Sequence, residues 1–320
     1  MDSLLDSVVR LGYNSLRVPL ALDHVEANPL VTAFNGGVAA NKELDGARML
    51  DALDLLVQKA ADRSLLVLLD MHRLDAAVWP DAMGLWYNEA HCEGDLIAAW
   101  TMLARRYCGA WNVVGADLLN EPHGANWGSG VYGDDWRLAA ERLGDAVLAT
   151  CPRLLIFVEG VGNPPVTPIV GPNWAFWGGN LAAACTHPVR LNQPDRLVLS
   201  PHVYGPSVAA MDYFEDAAYP TNLEDIWEAH FGHTLSCADG AVVVGEFGGD
   251  AARADDLAFQ RRLVGWMQAR GVGGFVWALN PNSGDTKGVL ADDWKTADKV
   301  KAEVYRRLSV SDVRITRGCV

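Results

Sequence analysis

WNVVGADLLNEPHG, residues 111–124, is the stretch on which the fold turns. Val113–Leu119 is an apolar run without regular alternation, the pattern of a strand covered on both faces. It ends at a polar pair, Asn120–Glu121. The same arrangement recurs along the chain. Ser15–Leu20, Leu65–Met71, Leu154–Val158, Leu197–His202, Val242–Phe247 and Gly274–Leu279 read as six further strands.

Between these runs, Met49, Leu50, Leu53, Leu56, Val57 and Ala60 recur at the helical period. So do Leu138, Ala139, Leu143, Ala146 and Val147, and later Leu257, Leu263, Val264 and Met267. Strands alternating with helices argue for a parallel sheet with crossover helices. A length of 320 residues suits one (β/α)₈ barrel, which needs about 250 residues before insertions. With no low-complexity linker and no charge block, residues 1–320 read as a single domain. The Gly- and Pro-rich stretches Gly162–Gly179 and Asn280–Gly288 read as long loops after strands, where such barrels build their active sites.

Half of the residues are hydrophobic and 21% are charged, so a sizeable core can form. The 26 Lys and Arg stand against 40 Asp and Glu, a net charge of −14. That charge repels polyphosphates and anionic membranes and argues against nucleic acid as a partner. There are 12 Trp against 8 Phe and 8 Tyr. Most are expected in the core, but a flat indole face also suits a sugar ring. No run approaches the roughly 20 apolar residues of a membrane span. Met1 opens into an amphipathic helix, without the basic and apolar regions of a signal peptide.

The cysteines (Cys92, Cys108, Cys151, Cys185, Cys237, Cys319) form neither a C-x-x-C pair nor a zinc spacing. Cys92 and Cys108 would lie about 24 Å apart at the ends of one helix, too far for a disulfide. The other pairings stay open.

Polar residues gather at the strand ends: Arg17, His72, Asn120 with Glu121, His202 with Tyr204, Glu246 and Trp277. One polar strand end is ordinarily a cap. Six of the seven strands aiming such residues toward the same rim point to a site. Glu121 and Glu246 each follow an apolar run, where a carboxylate is costly unless bonded or used. Such a pair is what glycoside hydrolysis requires: one group protonates the leaving oxygen, and the other attacks the anomeric carbon or activates water. Neither H-E-x-x-H nor a phosphate-binding Gly-rich loop followed by Lys occurs.

The sequence resembles glycoside hydrolase family 5 of clan A, near the bacterial-type endo-β-1,4-glucanases. LGYNSLRVP, LLDMHRLD, WNVVGADLLNEPHG, RLAAERLGDAV, LLIFVEGV, WGGNL, LVLSPHVYGPSV, VVVGEFGG and WALNPNSGDTKGVLADDW carry the likeness from residue 11 to about residue 300. The resemblance implies that Glu121 is the acid/base and Glu246 the nucleophile of a retaining, double-displacement hydrolysis. It implies that Tyr204 and Arg17 hold the nucleophile ionised, and that Asn120 bonds the sugar 2-hydroxyl. His72 and His202 would position the sugar and the carboxylates. Trp277 would be the platform beneath the cleaved ring, and Trp177 a second platform. Trp79, Trp86, Trp127 and Trp174 are further subsite candidates. The resemblance also implies a polysaccharide or oligosaccharide substrate, no cofactor, no metal, a monomer and secretion. The same carboxylates serve mannan, xylan and β-1,3-glucan, and a non-catalytic carbohydrate-binding barrel is the reading from another class.

This chain departs from the family at three places. No G-x-N strand precedes the first helix, so one barrel strand is missing. The loops GANWGSG and RLDAAVW lack cysteines, and Lys287 stands where a Gly is usual. Residues 311–317 carry some β character and could fill the vacant slot between SLRVP and GGFVWAL; otherwise the first strand lies upstream and the tail is a surface extension. The retaining reading further expects Glu121 and Glu246 about 5–5.5 Å apart rather than about 6.5–9.5 Å.

Overall fold

The computed structural model describes residues 1–33, 41–163, 174–237 and 240–308. Its strands are β1 (Ser15–Ala21), β2 (Leu66–Arg73), β3 (Val113–Asp117), β4 (Leu155–Val158), β5 (Leu197–Leu199), β6 (His202–Tyr204), β7 (Ala241–Gly248) and β8 (Gly273–Val276). All neighbouring pairs are parallel. β1 through β5 pair in chain order, and β5 and β6 both pair with β7, which also carries β8. β5 and β6 are therefore two halves of one barrel strand. Proline lacks the ladder N–H, so the strand breaks at Pro201, and Gly245 N–H bridges the gap to the Pro201 carbonyl at 2.9 Å.

The result is a nearly closed α/β barrel of seven parallel strands. Among the described residues no strand joins β1 to β8, so one seam is unsealed. This agrees with the strand missing from the sequence pattern. Residues 311–317, considered above as its substitute, lie outside the described residues.

The helices are α1 (Asp2–Arg10), α2 (Leu22–Ala27), α3 (Met49–Ala61), α4 (Glu93–Tyr107), α5 (Trp136–Thr150), α6 (Leu223–His230), α7 (Ala254–Arg270) and α8 (Lys299–Tyr305). Their apolar stripes bury Leu50, Leu53 and Val57 of α3, Ala139, Leu143 and Val147 of α5, and Leu263, Val264 and Met267 of α7. These pack on the outward strand residues Val67, Leu69, Ile156 and Val244 in one continuous core.

A separate small cluster fills the barrel interior: Leu68, Phe157 and Val198, flanked by Leu155, Val243 and Phe275. Because strand side chains alternate between faces, residues an even number of positions beyond this layer also point inward. That parity carries Asp70 and His72, Glu159, His202 and Tyr204, and Trp277 into the upper lumen. The ladder slips between Val244 and Phe247. Such an irregularity re-aims a side chain, and here Glu246 turns inward while Phe247 joins the outer core.

Cys92 and Cys108 flank α4, and no bridge joins them; Cys92 is free and exposed. Cys108 pairs instead with Cys151, Cα atoms 5.6 Å apart, tying the C-terminal ends of α4 and α5, and Cys185 pairs with Cys237. Closing a 43-residue separation by a disulfide stabilises a fold by about 4 kcal/mol in the chain-entropy account. The Cys108→Ser, Cys151→Ser double variant is therefore expected to melt roughly 6 °C lower in scanning calorimetry. An unchanged Tm would mean that the bridge contributes nothing.

Candidate active site

Every strand-end residue singled out from sequence reaches one place. A cleft of about 630 Å³ at the C-terminal end of the barrel is lined by His72, Asn120, Glu121, Tyr204, Glu246, Trp277 and Trp177, with Trp79 and Trp174 further out. Arg17 and His202 lie just beneath, almost fully buried.

Arg17 is the centre of the buried layer. Its guanidinium meets Asp117 at 2.8 Å, Glu159 at 3.0 Å, Asp70 at 3.1 Å and Glu246 most closely of all. It also donates to Asn120 Oδ1 at 3.0 Å. The planar five-donor fork makes this possible; an ammonium could not reach so many partners. The sequence reading missed Asp70, Asp117 and Glu159, all fully buried. Their signal was present, since each is a carboxylate interrupting an apolar strand on its inward parity.

Glu246 accepts a hydrogen bond from the Tyr204 hydroxyl, and His202 Nδ1 lies 3.7 Å from it. Burial alone would raise its carboxyl, but His202, Arg17 and His72, with the Tyr204 bond, outweigh that and hold it below the ordinary value. His202 Nδ1 hydrogen-bonds Glu121 Oε1 at 3.0 Å, and its Nε2 faces Glu159 at 3.1 Å. Although burial opposes a charged imidazole, the surrounding carboxylates raise its pKa well above the usual value. Glu121 sits at φ 50°, a left-handed conformation that non-glycine residues hold only when their surroundings impose it. Its N–H donates to Glu159 Oε2 at 2.7 Å. Gly178 is required beside this contact: at φ +73°, a Cβ there would meet Glu159 Oε2 at 2.6 Å.

His72 donates from or accepts at Nδ1 to Asp70 at 2.8 Å and stacks its ring on Trp277, centroids 5.1 Å apart. Among the described residues Asn120 Nδ2 is buried without a protein acceptor, leaving a donor for something else in the cleft. Trp177 stacks on His123 at 3.8 Å and remains 39% exposed. Two tryptophans considered as subsites do not belong here. Trp86 and Trp127 are buried in the core, with their N–H groups bonded to Glu93 and to the His187 carbonyl. Lys287 adopts φ 64°, which is why glycine suits the position, and its ammonium turns back to the Gly284 carbonyl.

Among the described residues, two groupings bring His and carboxylate donor atoms within 4.8 Å of one another. In Glu121–His202–Glu246, His202 Nδ1 is already committed to Glu121. Glu26–His91–Asp95 lies away from the cleft. There His91 is held between Glu26 and Asp75, and Asp95 caps α4 through the Cys92 N–H.

The buried layer makes stability depend on pH. Burial, reinforced by neighbouring acids, pushes Asp117 up to about 6 and raises Glu159, which His202 and Arg17 pull back down. Both hold protons more tightly folded than unfolded, as does His202. The stability they contribute is present below their ordinary values and lost as pH rises through the folded ones. Glu246 acts oppositely, but its stability is lost only in acid. Tm is therefore expected to fall between pH 5 and pH 9, and Glu159→Gln should flatten that slope in calorimetry; a Tm rising over this range would contradict the proton inventory.

A barrel carrying two facing carboxylates in a Trp-lined cleft defines a glycosidase-type enzyme. The comparisons with known proteins narrow the class. The model of the cellulases, glycosyl hydrolase family 5, matches residues 1–283, and the chain belongs to that family. It is 39% identical to an endoglucanase of Paenibacillus polymyxa, over 96% of this chain and 76% of that protein. It is 40% identical to the major extracellular endoglucanase of Xanthomonas campestris pv. campestris, over 93% of this chain and 60% of that protein. The hyperthermophilic endocellulase of the archaeon Pyrococcus horikoshii superimposes with a TM-score of 0.89 at 39% identity, covering 96% of this chain and 85% of that one. This chain is a glycoside hydrolase of the endoglucanase type.

Proposed function

We propose that the chain hydrolyses internal β-1,4-glucosidic bonds of cellulose and cello-oligosaccharides with retention of configuration, using Glu246 as nucleophile and Glu121 as acid/base. One observation carries this reading. A carboxylate oxygen of Glu121 and one of Glu246 lie within 4.8 Å of one another. So close an approach supports the roughly 5–5.5 Å carboxyl separation of a retaining enzyme over the roughly 6.5–9.5 Å that an inverting one leaves for its water.

In the first step a Glu246 oxygen bonds to the anomeric carbon as the glycosidic C–O bond breaks, and Glu121 gives its proton to the departing oxygen. In the second, Glu121 takes a proton from water, the water oxygen bonds to the anomeric carbon, and Glu246 leaves. Arg17 and Tyr204 keep the Glu246 carboxylate ionised and aimed. The free Nδ2 of Asn120 meets the sugar 2-hydroxyl, an interaction that strengthens in the transition state. His72 and His202 position the sugar and the two carboxylates, Trp277 stacks beneath the cleaved ring, and Trp177 carries a neighbouring ring.

The substrate assignment is supported by relatives. A variant of the Pyrococcus horikoshii endocellulase has been solved with cellotetraose, matching this chain at a TM-score of 0.88 and 39% identity over 96% of this chain and 85% of that one. The main core cluster of the described residues includes residues from Leu5 to Tyr305, which supports one catalytic unit. Two disulfides suit an oxidising, extracellular setting. No described helix is long and apolar enough to cross a membrane.

Proton NMR of the first product from cellotetraose tests the stereochemistry: the β-anomer should appear first, and α-anomer first would overturn double displacement. Glu121→Ala tests the acid/base role. Its kcat on cellotetraose should fall roughly 10²–10⁴-fold, with far less loss on an aryl cellobioside whose leaving group needs no proton, and azide should yield the β-azide. Equal losses on both substrates would remove Glu121 from that role.

A further inference from the structure

Glu159 is fully buried and does not line the cleft, so no sugar touches it. Its carboxylate nevertheless meets the site at three points. Oε2 accepts the Glu121 main-chain N–H at 2.7 Å. Oε1 accepts from Arg17 at 3.0 Å and faces His202 Nε2 at 3.1 Å. The other nitrogen of His202 is hydrogen-bonded to Glu121 Oε1 at 3.0 Å. One buried carboxylate thus holds both ends of the same residue, its main chain directly and its side chain through an imidazole.

Both contacts have work to do. Glu121 is at φ 50°, and the N–H bond pins that turn. With a hydrogen-bonded carboxylate 3.0 Å from one nitrogen and a second carboxylate 3.1 Å from the other, the imidazole complements both charges only as the imidazolium. Glu159 supplies the charge on the side away from the cleft.

We propose that Glu159 is the positioning residue of the acid/base: it fixes the Glu121 main chain in its left-handed turn and holds the His202 imidazolium against the Glu121 carboxylate. The inference rests on the acid/base reading of Glu121. The groups that bear on the His202–Glu159 pair are Arg17 from β1, Asp117 from β3, Glu121 beyond it and Glu246 from β7. Arg17 in turn binds Asp70 of β2. Removing the Glu159 charge leaves His202 a weaker hold on its second proton.

The experiment compares wild type with Glu159→Gln, whose amide keeps the size and an oxygen for the Glu121 N–H. On cellotetraose, kcat should fall at least roughly tenfold with KM within about twofold. The loss should be under about threefold on an aryl cellobioside whose leaving group needs no proton. The alkaline limb of the pH–rate profile should move roughly one unit to lower pH. Glu159→Ala should lose more on cellotetraose, because the main-chain bond goes as well. Equal losses on both substrates with an unmoved limb would reduce Glu159 to a packing role and overturn the inference. In wild type, nitrogen-15 NMR of the His202 ring, assigned by its absence in His202→Gln, should show the imidazolium at pH 7. A neutral ring there overturns the inference even if Glu159→Gln fails to fold. If Glu121→Ala shows no leaving-group dependence, the acid/base reading itself has failed; if it does and Glu159→Gln does not, only this inference has.

Discussion

Replacing Glu246 with alanine is expected to lower kcat on cellotetraose by roughly five orders of magnitude or more, the scale seen when a nucleophile is removed. KM should change little, because the stacking tryptophans and Asn120 remain. Adding azide should then restore turnover of an activated aryl cellobioside and release the α-glycosyl azide. The anion enters the space vacated by the carboxylate and attacks from the same face, once rather than twice, so configuration inverts. A β-azide product would exchange the roles of Glu246 and Glu121. Residual turnover within about tenfold of wild type would remove Glu246 from the mechanism altogether.

Arg17→Met should be the most damaging change to the fold itself. The Arg17 side chain is 4% exposed and faces Asp70, Asp117, Glu159 and Glu246. A buried ion pair contributes little net stability against a well-packed apolar replacement of the whole group, but removing one partner strands the others. Here four carboxylates lose their one shared cation, and the loss is expected to be about 3–5 kcal/mol at neutral pH. That corresponds to a Tm roughly 4–7 °C lower. The deficit should shrink toward pH 5, where Asp117 and Glu159 are protonated. Glu246 loses a cation that holds its carboxyl down, so the acid limb of any residual activity should move to higher pH. Arg17→Lys should recover only part of this, since a compact ammonium cannot reach every acceptor. A Tm within about 2 °C of wild type across pH 5–8 would show that the cluster does not depend on Arg17.

The reading of individual strands was largely local and largely legible. Apolar runs of five to eight residues and helical periods between them identify elements because side-chain direction is decided within a few residues. Leu66–Arg73 and Val113–Asp117 fall within a residue or two of their expected bounds. The Leu197–His202 run was broken, because a proline cannot donate to the ladder, and its second half extends to Tyr204. Asp70, Asp117 and Glu159 escaped because a carboxylate inside an apolar run reads as a flaw in the pattern. Its meaning appears only when inward parity is counted from the interior layer of Leu68, Phe157 and Val198.

Local pattern along the chain was enough to read the alternation of strands and helices, the vacancy of one strand, the polar rim and the two carboxylates, Glu121 and Glu246. Tertiary structure decided which partners those groups have. Arg17 bonds Asp117 across 100 residues of chain and Glu246 across 229, and Cys108 finds Cys151 rather than Cys92. It also decided that Trp86 and Trp127 fill the core while Trp79 and Trp174 face the cleft. The physical reason is range: periodicity records what each residue needs from its immediate neighbours, whereas a charge network is set by how far the barrel turns before its strands meet. Only that curvature brings four inward carboxylates within reach of a single guanidinium.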